Sequence, residues 1–175
     1  MTKTPSSLQD LRRRIYRKAK SGPSHRFWGL FVHIAKLETL EEAYGNAKRN
    51  GGAAGIDRQN FEDIETQGRT AFLVAIREDL VTGRYKPKPN RRVDIPKENG
   101  KDRTLQIHCI RDRVVQGAVK LILEAIFEAD LQPEQYAYRR DRSALDAVNR
   151  VHKLIYAGHQ EIVDADLSSY FGAPG

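Results

Sequence analysis

The chain has 175 residues, 39% of them hydrophobic, which is enough for one ordinary domain with its own core. Thirty Lys and Arg against 23 Asp and Glu give a formal charge of +7 and an isoelectric point near 9.6, a surplus that suits a phosphate-rich partner and is equally compatible with plain solubility. The single cysteine, Cys109, excludes an intramolecular disulfide, no apolar run approaches a membrane span, and nothing at Met1 looks like a signal segment, so a cytoplasmic protein is expected.

Ser7, with Asp10 three residues later, predicts a capped first helix whose apolar face is Leu8, Leu11 and Ile15 and which Gly22-Pro23 stops. Its other face carries Arg12, Arg13, Arg14, Arg17, Lys18 and Lys20. Such a face can simply be solvated, but six cations with little acid between them repel one another, and a nucleic-acid backbone would relieve that. Phe27, Trp28, Leu30, Phe31 and Ile34 form a second apolar segment. It leads to Thr39, which with Glu42 is expected to open a helix carrying Leu40, Ala43, Tyr44 and Ala47 until Asn50-Gly51-Gly52. Asp57 is expected to cap a short helix through Phe61 and Ile64, and Phe72, Leu73, Ile76 and Leu80 mark a longer one ended by Thr82-Gly83. The glycines of residues 51–55 are no nucleotide-binding fingerprint, because no strand precedes them and the glycine or lysine spacing is missing.

Tyr85-Lys86-Pro87-Lys88-Pro89-Asn90 is extended and incompatible with helix. Residues 91–96 and 103–107 then flank Asn99-Gly100, a pair suited to a tight turn, and predict a hairpin. Arg91, Arg92, Lys97, Lys101 and Arg103 make that ribbon basic. It can hold a triphosphate or a template backbone, or it can be an edge that uses cations to stay soluble. Residues 110–127 form the strongest predicted helix, opening on Arg111-Asp112-Arg113, where Asp112 suits the helix dipole and the arginines need a partner or an acid elsewhere. After Gln132-Pro133 comes a basic, aromatic loop from Tyr136 to Arg142, and Ser143 with Asp146 caps a helix through Val148, Val151 and Ile155 that Gly158 ends. The five histidines have no ligand spacing, and Cys109 beside His108 reads as a buried structural cysteine.

Residues 161–171 have strand character and place Asp164 and Asp166 two apart, on one face. On a buried strand such a pair calls for a cation such as Mg2+; at a surface both are simply solvated.

In order, Gly55-Ile56-Asp57, Tyr85-Lys86-Pro87-Lys88-Pro89 with residues 91–101, Ile110-Arg111-Asp112-Arg113-Val114-Val115-Gln116-Gly117-Ala118, residues 136–147 and residues 163–171 resemble the amino-terminal part of bacterial group II intron-encoded reverse transcriptases, also called maturases. The resemblance implies an α+β chain, mostly helical with a basic β-hairpin, forming the fingers and first palm strand of a right-hand polymerase: a helical extension over 1–50, fingers over 51–160 and the start of the palm over 161–175. It implies Asp166 as the catalytic aspartate that binds Mg2+, with the Leu167 backbone carbonyl as a further ligand and Asp164 secondary. Lys97 and Arg103 would hold the incoming dNTP and Phe171 would screen its sugar. Nucleic-acid contacts fall to Arg12, Arg13, Arg17, Arg91, Arg92, Lys101, Arg111, Arg113, Arg139 and Arg142. The implied partners are intron or template RNA, a DNA primer and dNTP, with no membrane.

The departures are specific. Thr104, Gln106 and His108 stand where the family usually has proline, glycine and proline, and Ala137, Arg140 and Leu145 replace its glycine, proline and histidine. No Tyr-x-Asp-Asp motif occurs, and Phe171 is followed by Gly172-Ala173-Pro174-Gly175. One aspartate does not hold two metals, so the chain alone is expected to be inactive. The alternative expectations are a noncatalytic RNA-binding module or a decayed gene product.

Overall fold

The computed structural model describes residues 7–96 and 102–167, with Asp102 and Arg103 given by backbone alone. In chain order they form α1 (Leu8–Ser21), α2 (Leu30–Ile34), α3 (Leu37–Asn50), α4 (Phe61–Gln67), α5 (Arg69–Val81), β1 (Arg91–Pro96), β2 (Asp102–Ile107), α6 (Ile110–Asp130) and α7 (Ala144–Tyr156). The described residues are therefore mostly helical with one small antiparallel sheet, in the α+β class expected. Among the described residues no helix is long and apolar enough to cross a membrane. The chain divides into two units, Met1–Asp130 and Leu131–Gly175.

The first unit is organised on α6. Ile110, Val114, Val115, Ala118, Leu121, Ile122 and Ala125 recur every three or four residues and are buried, and α1, α2 and α3 all pack against this helix. Gly117 lets α3 come close, since a Cβ there would lie 3.2 Å from the Ala43 Cβ. Tyr44 of α3 is fully buried, with the rings of Phe61 and Phe72 edge-on at 5.6 and 6.3 Å, which ties α4 and α5 to the core. Its hydroxyl donates to Glu65 Oε1 at 3.0 Å, and burial together with that bond pushes the phenol up to about 12.

Several boundaries differ from expectation, each for a local reason. Ser7 caps α1 as predicted, its Oγ accepting the Asp10 N–H at 3.3 Å. Thr39 does not open α3, which begins at Leu37; the buried Thr39 hydroxyl instead donates to the His33 carbonyl at 2.8 Å and joins α2 to α3. Asp57 does not cap α4. Asn60 does, in a reciprocal box with Asp63, because the Asp57 carboxylate is taken up by Gln59 N–H, Lys88 and Cys109.

In the second unit Ser143 and Asp146 form the predicted capping box of α7. Residues 161–167 are not a strand, contrary to the sequence reading, for a strand needs a partner ladder and β1 with β2 is the only pairing among the described residues.

Candidate nucleic-acid interface

The hairpin is built by register. Val93 pairs with Leu105 and Arg91 with Ile107 on one face, while Arg92 pairs with Gln106 and Asp94 with Thr104 on the other. Arg91 and Arg92 therefore point to opposite sides, Arg91 half-buried on the apolar face and Arg92 exposed on the polar one. The Thr104 hydroxyl donates to Asp94 Oδ1 at 2.5 Å and Asn90 Nδ2 donates to Gln106 Oε1 at 2.9 Å, so the substituents that depart from the family pattern here serve the polar face of the ribbon. Lys97 and Lys101 lie outside the described residues, as does the side chain of Arg103.

What aims this ribbon is a carboxylate at the start of α6. Asp112 is 1% exposed, and its oxygens accept from the Tyr85 hydroxyl at 2.6 Å and the Lys88 backbone N–H at 3.1 Å. The first turn of a long helix suits a negative charge, and two donors with that dipole offset the desolvation of burying it. Lys88 Nζ reaches Asp57 Oδ2 at 3.2 Å, and the guanidinium of Arg111 sits 5.7 Å from the Tyr85 ring centroid while bonding Asp79. The proline-rich segment before β1 is thus held at both Tyr85 and Lys88. Burial and the bond to Asp112 push the Tyr85 phenol up, and the Arg111 bond holds Asp79 below its usual range.

The small-residue loop closes on the same place. Gly55 lies so near Cys109 that a Cβ would fall 2.6 Å from its Cα and 2.7 Å from its backbone nitrogen, so only glycine fits. Burial pushes the Cys109 thiol up, and the Asp57 carboxylate adds to this while the Asp57 backbone opposes it. Burial would raise Asp57 as well, but the thiol, Lys88 and Gln59 more than offset this and leave it below the ordinary value. Arg113 donates to the His108 carbonyl at 3.0 Å, the Gly51 carbonyl at 3.3 Å and the Ala53 carbonyl. Both arginines at the head of α6 therefore have internal partners.

On α1, Arg12 forms an ion pair with Glu124 of α6 at 2.5 Å, while Arg13 and Arg17 are exposed, Arg13 paired with Asp10 at 3.7 Å. In the second unit, Arg139 Nη1 donates to the carbonyls of Gln132 and Gln135 at 2.8 and 3.1 Å, folding the loop on itself, and Arg142 lies 5.4 Å from the Tyr136 ring centroid. Asp164 and Asp166 are exposed, and an Asp166 oxygen accepts the Leu167 N–H at 2.8 Å. Phe171 lies outside the described residues.

Among the described residues no three His, Cys, Asp or Glu side chains gather as a metal-binding group. Asp164 and Asp166 offer oxygen donors of the kind Mg2+ takes, yet two exposed carboxylates fall short of the set a two-ion centre needs, and no catalytic step is assigned through a metal here. Sequence reasoning missed the anchoring role of Asp112, because nothing in one dimension joins it to Tyr85, 27 residues away.

No protein-family model matches the chain. The chain is 36% identical over 171 residues to protein YkfC of Escherichia coli, covering 94% of this chain and 44% of that one. Group II intron-encoded protein LtrA of Lactococcus lactis is 28% identical over 159 residues, 90% of this chain and 26% of its own length. The putative COX1/OXI3 intron 1 protein of Saccharomyces cerevisiae is 31% identical over 100 residues, 57% of this chain and 12% of its own. The chain thus spans less than half the length of these relatives. Over 57 to 90% of its length the chain is thus homologous to group II intron-encoded proteins.

Proposed function

We propose that the chain is the fingers-bearing part of a group II intron RNA-directed DNA polymerase, gripping intron or template RNA through α1 and the hairpin. The observation that carries the reading is the basic ribbon whose Arg92 face is open and whose base is anchored to α6 through Asp112. It is supported by the ordered motifs and by homology to a protein named for a group II intron, which is an RNA element. On the same reading Lys97 and Arg103 hold the triphosphate of an incoming dNTP, Phe171 screens its sugar, and a DNA primer lies against the palm. Asp166, with the Leu167 carbonyl beside it, would help to hold Mg2+ once further carboxylates complete the set, and an ion held there would supply Lewis acidity for nucleotidyl transfer. Because these 175 residues contain no second aspartate motif, they do not polymerise by themselves.

Two measurements test this together. The logarithm of the RNA association constant of the purified chain falls linearly with the logarithm of salt concentration, and Arg17→Gln with Arg92→Gln lessens that slope by about 1.5, two phosphate contacts at about 0.7 to 0.9 each. Primer extension on an RNA template with Mg2+ gives no product. Affinity unchanged by salt, or deoxynucleotide incorporation by this chain alone, would sink the proposal.

A further inference from the structure

Between α1 and α3 the chain sorts its apolar side chains in two directions. Phe27, Leu30 and Ile34 pack against the core, whereas Trp28, Phe31 and Val32 are 84%, 52% and 64% exposed. Gly29, in the left-handed region at φ 71°, caps α2 and turns the backbone between Trp28 and the inward Leu30. A large aromatic left this open gains nothing for the fold, since its area is not removed from water.

Charge says what would cover it. Nine of the 30 lysines and arginines but only one of the 23 acids lie in residues 1–36, which leaves 21 cations against 22 acids over the rest of the chain. The whole basic surplus therefore belongs to the segment that carries the aromatics. Arg26 and Lys36 flank α2 and are exposed, and both α1 and α2 lie on α6. Arg14 of α1 is near enough to His33 of α2 that, after burial and Lys36, it helps keep that imidazole below its usual value.

Resting on the RNA-binding reading above, we propose that Trp28, with Phe31 beside it, is a stacking platform for unpaired bases, and that the phosphates of the same strand run along the cations of α1. An apolar anchor for a protein partner would not call for this density of positive charge. A duplex satisfies the charge but hides its base faces, whereas an unpaired strand presents both.

Trp28 is the chain's single tryptophan, so its emission reports on this surface alone. The full chain is titrated with an unstructured RNA oligonucleotide and, separately, with a duplex of the same length, following labelled-RNA anisotropy and tryptophan emission together. Quenching by the single strand, with the same midpoint as the anisotropy, is expected. Trp28→Ala weakens single-strand binding about tenfold and leaves duplex binding within about twofold, while Trp28→Phe keeps most of the affinity. Far-UV circular dichroism checks that the variants fold, as an exposed site should permit. Anisotropy binding without quenching, or equal loss for single strand and duplex in Trp28→Ala, overturns the platform while leaving the RNA-binding reading in place. A blue shift on anionic phospholipid vesicles with no quenching by RNA assigns the surface to lipid instead. No anisotropy change with either RNA at low salt overturns both readings.

Discussion

A carboxylate sealed from water is costly unless its lone pairs are occupied, and Asp112 gives one oxygen to the Tyr85 hydroxyl and the other to the Lys88 backbone. Removing either side of that arrangement strands the other. Asp112→Ala is expected to lower unfolding stability by about 3 kcal/mol, since two inward-facing donors lose their acceptor, and Tyr85→Phe by about 2 kcal/mol. Both are read as shifts of the urea midpoint, and effects under half a kcal/mol would show that water replaces the lost bonds. Asp112 was visible in the sequence as a good residue for the head of a helix, and its service to the segment before β1 was not. Arg111 and Arg113 were likewise legible as cations in need of partners, but Asp79 and the carbonyls of Gly51 and Ala53 are brought to them only by folding.

At the scale of elements the caps carry the lesson. Ser143 with Asp146 was readable because a box of four consecutive residues is local chemistry, and it forms as written. Asp57 satisfied the same local preference and lost to Asn60, because its carboxylate is claimed by Lys88 and Cys109 from distant parts of the chain. Asn60→Ala is therefore expected to cost about 1 kcal/mol in a denaturant titration, with Asn60→Asp recovering most of it. An Asn60→Ala variant as stable as the parent would mean that α4 holds its first turn through packing alone. Residues 161–167 fail as a strand for a related reason: alternation proposes a pleated segment, but only a neighbouring strand supplies the ladder that makes one.

For the whole molecule the displaced titrations predict a stability profile against pH. Asp57, Glu65 and Asp79 are held below their ordinary values in the folded chain, so their contribution is present above about pH 4 and is lost as pH falls through the folded values. His33 is lowered by burial, then by Lys36 and Arg14, so the folded state resists its proton and a shallow loss begins below about pH 6.5. Tyr44 is raised to about 12, and Tyr85 and Cys109 are raised as well. Their contribution is complete below the unfolded values, which start near pH 8.5 for the thiol, and declines as pH rises toward the folded ones. The urea midpoint should accordingly be highest near pH 7 to 8 and fall on both sides, and in Tyr44→Phe the alkaline limb should be less steep. A midpoint still rising at pH 10 would contradict the buried phenols.

The sequence by itself determined the helix faces, the two-stranded ribbon, the basic bias and the ordered motifs of the family, because each depends on residues a few positions apart whose preferences agree. Tertiary structure alone decided that Arg91 and Arg92 divide between two faces, that Asp112 holds the base of the ribbon, and that Trp28 stays in the open while its neighbour Phe27 packs against the core. The reason is physical: burial and hydrogen bonding between distant segments are settled by which surfaces meet, and no local pattern of residues carries that information.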